Sequence, residues 1–154
     1  SAEGLGIDLG NPDAVNTLIK VCNPYCGPCS KAHAKIEQLL ETNTTIRVKI
    51  IFKTLADPES LSYKATAHLL TIAQDKPKQI RHALDDWYMS EKKNYDDYML
   101  KYPISGELAD QTNKVLDMQK WCDTMNIRGT PTIFLNGFQL PEAYEIEDLP
   151  YFLL

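Results

Sequence analysis

The sequence predicts an α/β fold, in which helices flank a central mixed sheet and a long helical segment is inserted between two of the strands. Two patterns lead to this prediction. Residues 46–50 alternate between apolar and charged side chains, as in a strand with one buried face, and the apolar residues 51 and 52 extend it. Residues 57–126 instead carry apolar side chains at helical spacing. Strands are therefore expected on both sides of a mainly helical middle.

The composition fits one domain that spans residues 1–154. Of the 154 residues, 44% are hydrophobic and 24% are charged, which is enough apolar surface for a core. The formal net charge is −5 and no basic run is present, so a nucleic-acid partner is not expected. No apolar run approaches the roughly 20 residues that a membrane-spanning helix needs.

The first third of the chain predicts two strands, a helix and a third strand. Alternating apolar residues within 5–9 indicate a short edge strand, and residues 17–21 indicate a second strand. That strand must end by Pro24, because proline cannot donate a hydrogen bond to a neighbouring strand. An apolar stripe predicts a helix over 28–41, and the alternating residues 46–52 follow it.

Prolines divide the helical middle into four predicted helices. The first begins near Pro58, the second begins at Pro77, the third covers about 92–101, and the fourth runs from about 107 to 125. Residues 57–115 are expected to be an insertion, because the strands on both sides are needed for one sheet.

The last part of the chain predicts a hairpin and a short helix. Residues 132–135 form a strand, and Asn136-Gly137 is a strong signal for a two-residue turn. Residues 138–140 are the partner strand, and residues 145–153 the final helix.

The motif Cys26-Gly27-Pro28-Cys29 lies between a predicted strand and a predicted helix. A thiolate at a helix N-terminus is stabilised by the helix dipole and by unpaired N–H groups, so the pKa of a cysteine is expected to fall there. We predict that Cys26 is the more exposed nucleophile and that Cys29, one turn inside the helix, is buried and resolves the mixed disulfide. Gly27 and Pro28 suit a tight turn that enters a helix.

This motif, followed far downstream by Gly129-Thr130-Pro131-Thr132 and the Asn136-Gly137 hairpin, resembles the thioredoxin superfamily. The helical insertion, between the second core strand and the strand after Pro131, resembles the DsbA-like branch. Residues 21–29 are also similar to the thioredoxin-like domains attached to membrane proteins of the vitamin K epoxide reductase type in Bacteroides-like bacteria.

The resemblance implies a thioredoxin fold and a thiol–disulfide oxidoreductase that acts on protein cysteines without an organic cofactor. It implies that Pro131 is in the cis form and faces Cys26, and that the backbone of Thr130 pairs with an extended substrate segment. The expected substrate-binding residues are Tyr25, Gly27, Pro28, Thr130 and Pro131. The expected partners are proteins with thiols or disulfides and a membrane redox protein of the vitamin K epoxide reductase type. The implied location is periplasmic or otherwise extracytoplasmic, with a membrane tether in a longer protein.

Lys20 is a departure from the family pattern. Many members carry a carboxylate six residues before the first cysteine, where it shuttles protons from the buried cysteine. A lysine there favours a thiolate instead of accepting a proton, so we expect Lys20 to modulate the pKa of a nearby thiol. The direction of electron transfer stays open, because Gly27-Pro28 resembles the reducing thioredoxins and the insertion resembles the oxidising DsbA group.

Two further cysteines allow two interpretations. Cys22 and Cys122 are either buried small hydrophobic side chains or a second redox pair or resolving relay to Cys26, which requires Cα atoms within about 7 Å of one another. An alternative function is a copper or zinc carrier that uses Cys22, Cys26 and His33, since soft thiolates suit both metals. A redox-inert chaperone on the same fold is another alternative. Apart from the metal alternative, His33 is expected to face solvent.

Aromatic residues cluster in the insertion. They either pack the helical segment or form an apolar surface beside Cys26 that holds unfolded or partner chains. The residues concerned are Trp87, Tyr88, Tyr95, Tyr98 and Tyr102.

Overall fold

The computed structural model describes residues 1–154 and contains five strands, five α-helices and two 3₁₀ helices. The strands are β1 (Ile7–Gly10), β2 (Asn16–Cys22), β3 (Ile46–Phe52), β4 (Thr132–Leu135) and β5 (Phe138–Gln139). The α-helices are α1 (Gly27–Thr42), α2 (Leu61–Asp75), α3 (Ile80–Met89), α4 (Tyr95–Lys101) and α5 (Thr112–Thr124). The 3₁₀ helices cover Leu108–Gln111 and Ile146–Phe152. No helix is both long enough and apolar enough to cross a bilayer.

The sheet is mixed, as predicted, and its strand order is β1-β3-β2-β4-β5. Strands β2 and β3 are parallel, and the other three pairings are antiparallel. A parallel pair needs a crossover connection, which α1 supplies. In the register of this pair Cys22 lies opposite Phe52, so both strands end at the same edge of the sheet. The N-terminus of α1 is therefore held at that edge.

The predicted hairpin is present between β4 and β5. Asn136 has a φ of 50° and Gly137 a φ of 87°. A two-residue turn of this kind needs a positive φ at both positions, which asparagine and glycine tolerate best. The turn sets the register in which Leu135 lies opposite Phe138.

Two of the helices that were predicted to begin at or near a proline begin three residues after it. Helix α2 begins after Pro58, because the Ser60 hydroxyl accepts a hydrogen bond from the Tyr63 amide and caps the helix there. Helix α3 begins three residues after Pro77, and the fourth predicted helix opens with the 3₁₀ turn Leu108–Gln111. The last helix is 3₁₀ throughout and contains Pro150.

The aromatic cluster of the insertion is buried within the core, so the expected packing role is confirmed and the expected apolar surface is wrong. Trp87 and Tyr98 meet edge to face with ring centroids 5.1 Å apart. Trp87 Nε1 also donates to the Pro24 carbonyl at 2.7 Å, in the loop that precedes Cys26. This hydrogen bond therefore connects the insertion to the loop between β2 and α1.

His68 joins two helices of the insertion. Its side chain is buried, with Nε2 at 2.6 Å from the Tyr102 carbonyl and Nδ1 at 3.0 Å from the Tyr95 hydroxyl. The carbonyl is only an acceptor, so Nε2 carries the proton and Nδ1 accepts from tyrosine. Burial lowers the pKa of His68 and so favours this neutral ring over the charged one.

We expect His68→Leu to lower the free energy of unfolding by about 2–4 kcal/mol, because it leaves two buried polar groups without a partner. Urea denaturation measures this loss, with the exposed His82→Leu as the matched control. The folded protein binds a proton at His68 less readily than the unfolded chain, since the folded pKa is lowered. The stability that His68 contributes is thus present above about pH 6.5 and declines as the pH falls below it. An equal loss in both variants would contradict the role of His68.

Candidate functional site

Cys26 lies at the end of a short loop that Asn23 organises. The Asn23 side-chain oxygen accepts a hydrogen bond from the Tyr25 amide at 2.9 Å, and its carbonyl accepts one from the Cys26 amide at 3.2 Å. The Asn23 side-chain nitrogen donates to the Lys53 carbonyl at 3.1 Å, just past the end of β3. These contacts hold Cys26 at the N-terminus of α1 and tie the loop to the neighbouring strand.

The Cys26 sulfur is surrounded by backbone groups. It caps α1 by accepting a hydrogen bond from the Cys29 amide at 3.2 Å, and it lies 3.5 Å from the Thr130 carbonyl. The Thr130–Pro131 peptide bond is cis. Cys26 is half-buried, whereas Cys29 is completely buried behind it. The two cysteines thus have the different exposures that the sequence predicts.

The pKa of Cys26 is raised, whereas the sequence led us to expect a lowered value. Burial raises the pKa of Cys26, and the side chain of Cys29 adds to this effect. The Thr130 side chain and the Cys29 amide act in the opposite direction but do not outweigh desolvation. The pKa of Cys26 is therefore raised although the residue lies at a helix N-terminus.

The acidic thiol in this region is Cys22 instead. Burial disfavours its thiolate, but interactions with Cys29, the charge of Lys20 and the Tyr88 hydroxyl together lower its pKa to about 7. Tyr88 donates to the Cys22 sulfur at 3.1 Å. The charge of Lys20 acts on Cys22, and a role of Lys20 in modulating the Cys26–Cys29 pair stays a prediction.

Cys122 lies apart from this group. It is buried on α5, and burial raises its pKa to about 11, with Lys53 and Asp123 as its charged neighbours. The groups that act on Cys22 are instead Lys20, Tyr88 and the two thiols of the Cys26–Cys29 motif. All four cysteines are free thiols, and a redox pair between Cys22 and Cys122 stays a prediction.

The expectation that His33 faces solvent is wrong. Helix α1 packs against α3, which places Asp85 at 2.6 Å from His33 Nε2 and stacks the ring on Tyr88 with centroids 5.1 Å apart. The ligand atoms of His33, Glu37 and Asp85 lie within 4.8 Å of one another and are the residues best placed for a metal. Glu37 is already paired with Arg81 at 2.7 Å. This group contains no cysteine, so the structure does not assemble the metal site expected for a thiolate carrier.

Two clefts adjoin the loop that contains Pro131. The first has a volume of about 370 Å³ and is lined by Asn23, Tyr25, Cys26, Lys53, Arg128, Gly129 and Thr130. The second is a groove of about 690 Å³ that includes Pro28, Thr130 and Pro131 together with the start of α1 and the segment after β5. Four of the five expected substrate-binding residues therefore line these clefts, and the fifth, Gly27, is exposed at the start of α1.

Sequence analysis missed Lys53 and Arg128 as residues of the site and missed the contact of Tyr88 with Cys22. Lys53 had a usable signal, because it follows β3 and the ends of parallel strands meet at one edge of the sheet. Arg128 lies three residues before Pro131, in a loop already assigned to the site. Tyr88 had no such signal, since helical spacing does not say how an inserted helix is placed against a strand.

Comparison with known proteins identifies the fold. A family model described as thioredoxin matches residues 3–153, and the chain matches no curated protein sequence. ScsC of Proteus mirabilis in a transitional conformation has a TM-score of 0.80 and 20% identity, over 94% of this chain and 69% of its own.

Two further solved structures are similar. A periplasmic thioredoxin-like protein from Salmonella enterica serovar Typhimurium has a TM-score of 0.80 and 16% identity, over 94% of this chain and 86% of its own. The thiol-disulfide exchange protein alpha-DsbA2 from Wolbachia pipientis has a TM-score of 0.79 and 14% identity, over 95% and 84%. At such identities the likeness shows the shared fold, a mixed sheet with a helical insertion.

We expect an alkylating reagent to modify Cys26 before the other three thiols of the folded, reduced protein. Cys26 is half-exposed, whereas Cys22, Cys29 and Cys122 are buried and become accessible only when the structure opens. Peptide mapping by mass spectrometry after short exposures measures the order, and the denatured protein is the control. Labelling of a buried thiol as fast as Cys26 would contradict the geometry of the site.

Proposed function

The chain belongs to the thioredoxin family, and we propose that it is a thiol–disulfide oxidoreductase that acts on protein cysteines. One observation carries the proposal. The half-exposed sulfur of Cys26 caps helix α1 beside the Thr130–Pro131 loop. The sulfur of Cys29 is completely buried one helical turn later. This is the arrangement needed for one thiol to meet a substrate and another to finish the exchange.

The proposed reaction has two steps. The Cys26 thiolate attacks one sulfur of a substrate disulfide, forms a mixed disulfide with it and releases the other sulfur as a thiolate, which takes a proton from water. Cys29, as a thiolate, then attacks the Cys26 sulfur. The Cys26–Cys29 disulfide forms and the second substrate sulfur leaves, so two electrons pass from the protein to the substrate. Run in reverse, the same steps oxidise a substrate dithiol.

A substrate chain is proposed to lie along the Thr130–Pro131 loop. The clefts on both sides of this loop leave it open from Cys26 to the groove beside α1. An extended peptide there can pair with exposed backbone, as in strand addition. Lys53 and Arg128 line the same cleft as Cys26, so a substrate chain approaches the sulfur through a cleft that carries basic side chains.

The location and the membrane partner are also proposals. Similarity in fold to a protein described as periplasmic supports an extracytoplasmic location. The likeness of residues 21–29 to domains attached to vitamin K epoxide reductase-type proteins supports a membrane redox partner of that type.

We expect Cys26→Ser to reduce disulfide exchange with a reduced or oxidised model protein to the uncatalysed background, because the nucleophile is lost. Cys29→Ser should instead accumulate a mixed disulfide at Cys26, which can form but cannot be resolved. Cys122→Ser, a substitution at a buried thiol away from the site, is the control and should keep its activity. Exchange that survives in Cys26→Ser would refute the proposed function.

We further expect the Cys26–Cys29 pair to have a reduction potential nearer to about −270 mV, as in thioredoxin, than to about −120 mV, as in DsbA. A strongly oxidising pair requires a stabilised thiolate in the reduced form, whereas burial here raises the pKa of Cys26. Equilibration with glutathione, followed by alkylation and mass measurement, gives the value. A potential close to that of DsbA would show that the thiolate is stabilised by something other than these contacts.

A further inference from the structure

Cys22 sits behind the reactive pair, at the end of β2, where no substrate can reach it. Its exposure is 0%, and its sulfur accepts a hydrogen bond from the Tyr88 hydroxyl at 3.1 Å. Helix α3 thus directs the Tyr88 hydroxyl at the sulfur of Cys22, a residue four positions before Cys26. A neutral thiol is a weak acceptor, whereas a thiolate is a strong one, so this contact favours a charged Cys22.

A buried cation lies next to Cys22. Lys20 is 1% exposed, and its Nζ has no hydrogen-bond partner although it lies 4.3 Å from the centroid of the Tyr88 ring. Residues 20 and 22 of a strand point to the same face, so the ammonium group and the sulfur share one side of β2. An unpaired ammonium in the core is costly, and a thiolate at Cys22 supplies the missing opposite charge.

Cys29 completes the group from α1. Its side chain interacts with that of Cys22, and this interaction together with burial raises the pKa of Cys29 well above its usual range. The same interaction helps to lower the pKa of Cys22. The titratable groups that face Cys22 are therefore Lys20 on β2, Tyr88 on α3, Cys29 on α1 and, at the helix N-cap, Cys26. The raised pKa of Cys29 and the lowered pKa of Cys22 therefore favour the proton on Cys29.

We propose that Cys22 is a third catalytic cysteine, which removes the proton from Cys29 in the resolving step. Lys20 and Tyr88 are positioning residues that keep Cys22 charged. This inference rests on the proposed function, because the resolving step exists only if Cys26 and Cys29 exchange disulfides.

The proton transfer adds no reactant to the exchange. In the mixed disulfide the Cys29 proton moves to the Cys22 thiolate, and the resulting Cys29 thiolate attacks the Cys26 sulfur. The bond between Cys26 and the substrate sulfur breaks as the Cys26–Cys29 bond forms, and the substrate leaves as a thiolate. In the reverse direction Cys29 leaves as a thiolate and recovers its proton from Cys22. Cys22 is neither oxidised nor reduced in either direction.

The test separates the two steps in time. The reduced full chain is mixed with an aromatic disulfide that releases one coloured thiolate when Cys26 attacks and a second when Cys29 resolves. We expect Cys22→Ala to slow the second phase at least about 100-fold near pH 7 and to leave the first phase nearly unchanged, because a positioned base typically contributes this much. Cys122→Ala, which removes another buried thiol, should leave both phases unchanged.

The pH dependence distinguishes proton transfer from a packing defect. In the original protein the second phase should rise to a plateau near pH 7, where Cys22 becomes a thiolate. In Cys22→Ala it should continue to rise with pH, because hydroxide must deprotonate Cys29. Tyr88→Phe keeps the ring and removes one hydrogen bond to sulfur, so it should move the plateau to higher pH. This variant tests the proposal even if Cys22→Ala does not fold.

A second experiment measures the ionisation of Cys22 directly. In the Cys26→Ser background, thiolate ultraviolet absorbance should titrate near pH 7, and Lys20→Met should shift that titration upward. The inference is overturned if the second phase of Cys22→Ala is as fast as that of the original protein, or if the oxidised protein contains a Cys22–Cys29 disulfide. If the original protein shows no first phase, the proposed function itself fails.

Discussion

The Cys29 amide donates a hydrogen bond to the Cys26 sulfur, so the residue that meets the substrate is also the cap of α1. This one contact explains why the two cysteines differ. A cap lies outside the helix and near solvent, whereas a residue three positions later lies on the first helical turn and faces the core. The spacing of the motif, the start of α1 and the burial of Cys29 are thus consequences of a single local geometry.

A second constraint comes from charge in the core. Lys20 lies on the central part of the sheet, where an unpaired ammonium is costly, and Cys22 and Tyr88 lie beside it. The charge that stabilises a thiolate in this protein therefore comes from inside the sheet and not only from the end of α1. This explains why the most acidic thiol is a cysteine outside the Cys26–Cys29 motif.

The fold could largely be predicted from the sequence because the signals are local. The alternation of apolar and charged residues predicted β3, and Asn136-Gly137 predicted the hairpin. The four-residue cysteine motif predicted the start of α1. Contacts across the fold could not be predicted in the same way. His33 was expected in solvent because a helical pattern does not show which helix covers it, and Asp85 is 52 residues away. The role of Tyr88 beside Cys22 was missed for the same reason.

Hydrogen bonds connect the helical insertion to the site, among them those from Trp87 to the Pro24 carbonyl and from Tyr88 to the Cys22 sulfur. A change in the charge of Cys22 therefore changes the free energy that holds this segment in place. By linkage, any ligand that binds this segment more tightly in one charge state of Cys22 shifts the pKa of Cys22, and protonation of Cys22 changes the affinity for that ligand by the same factor. Binding at the surface of the inserted helices, far from the sulfurs, can therefore adjust the acidity of Cys22.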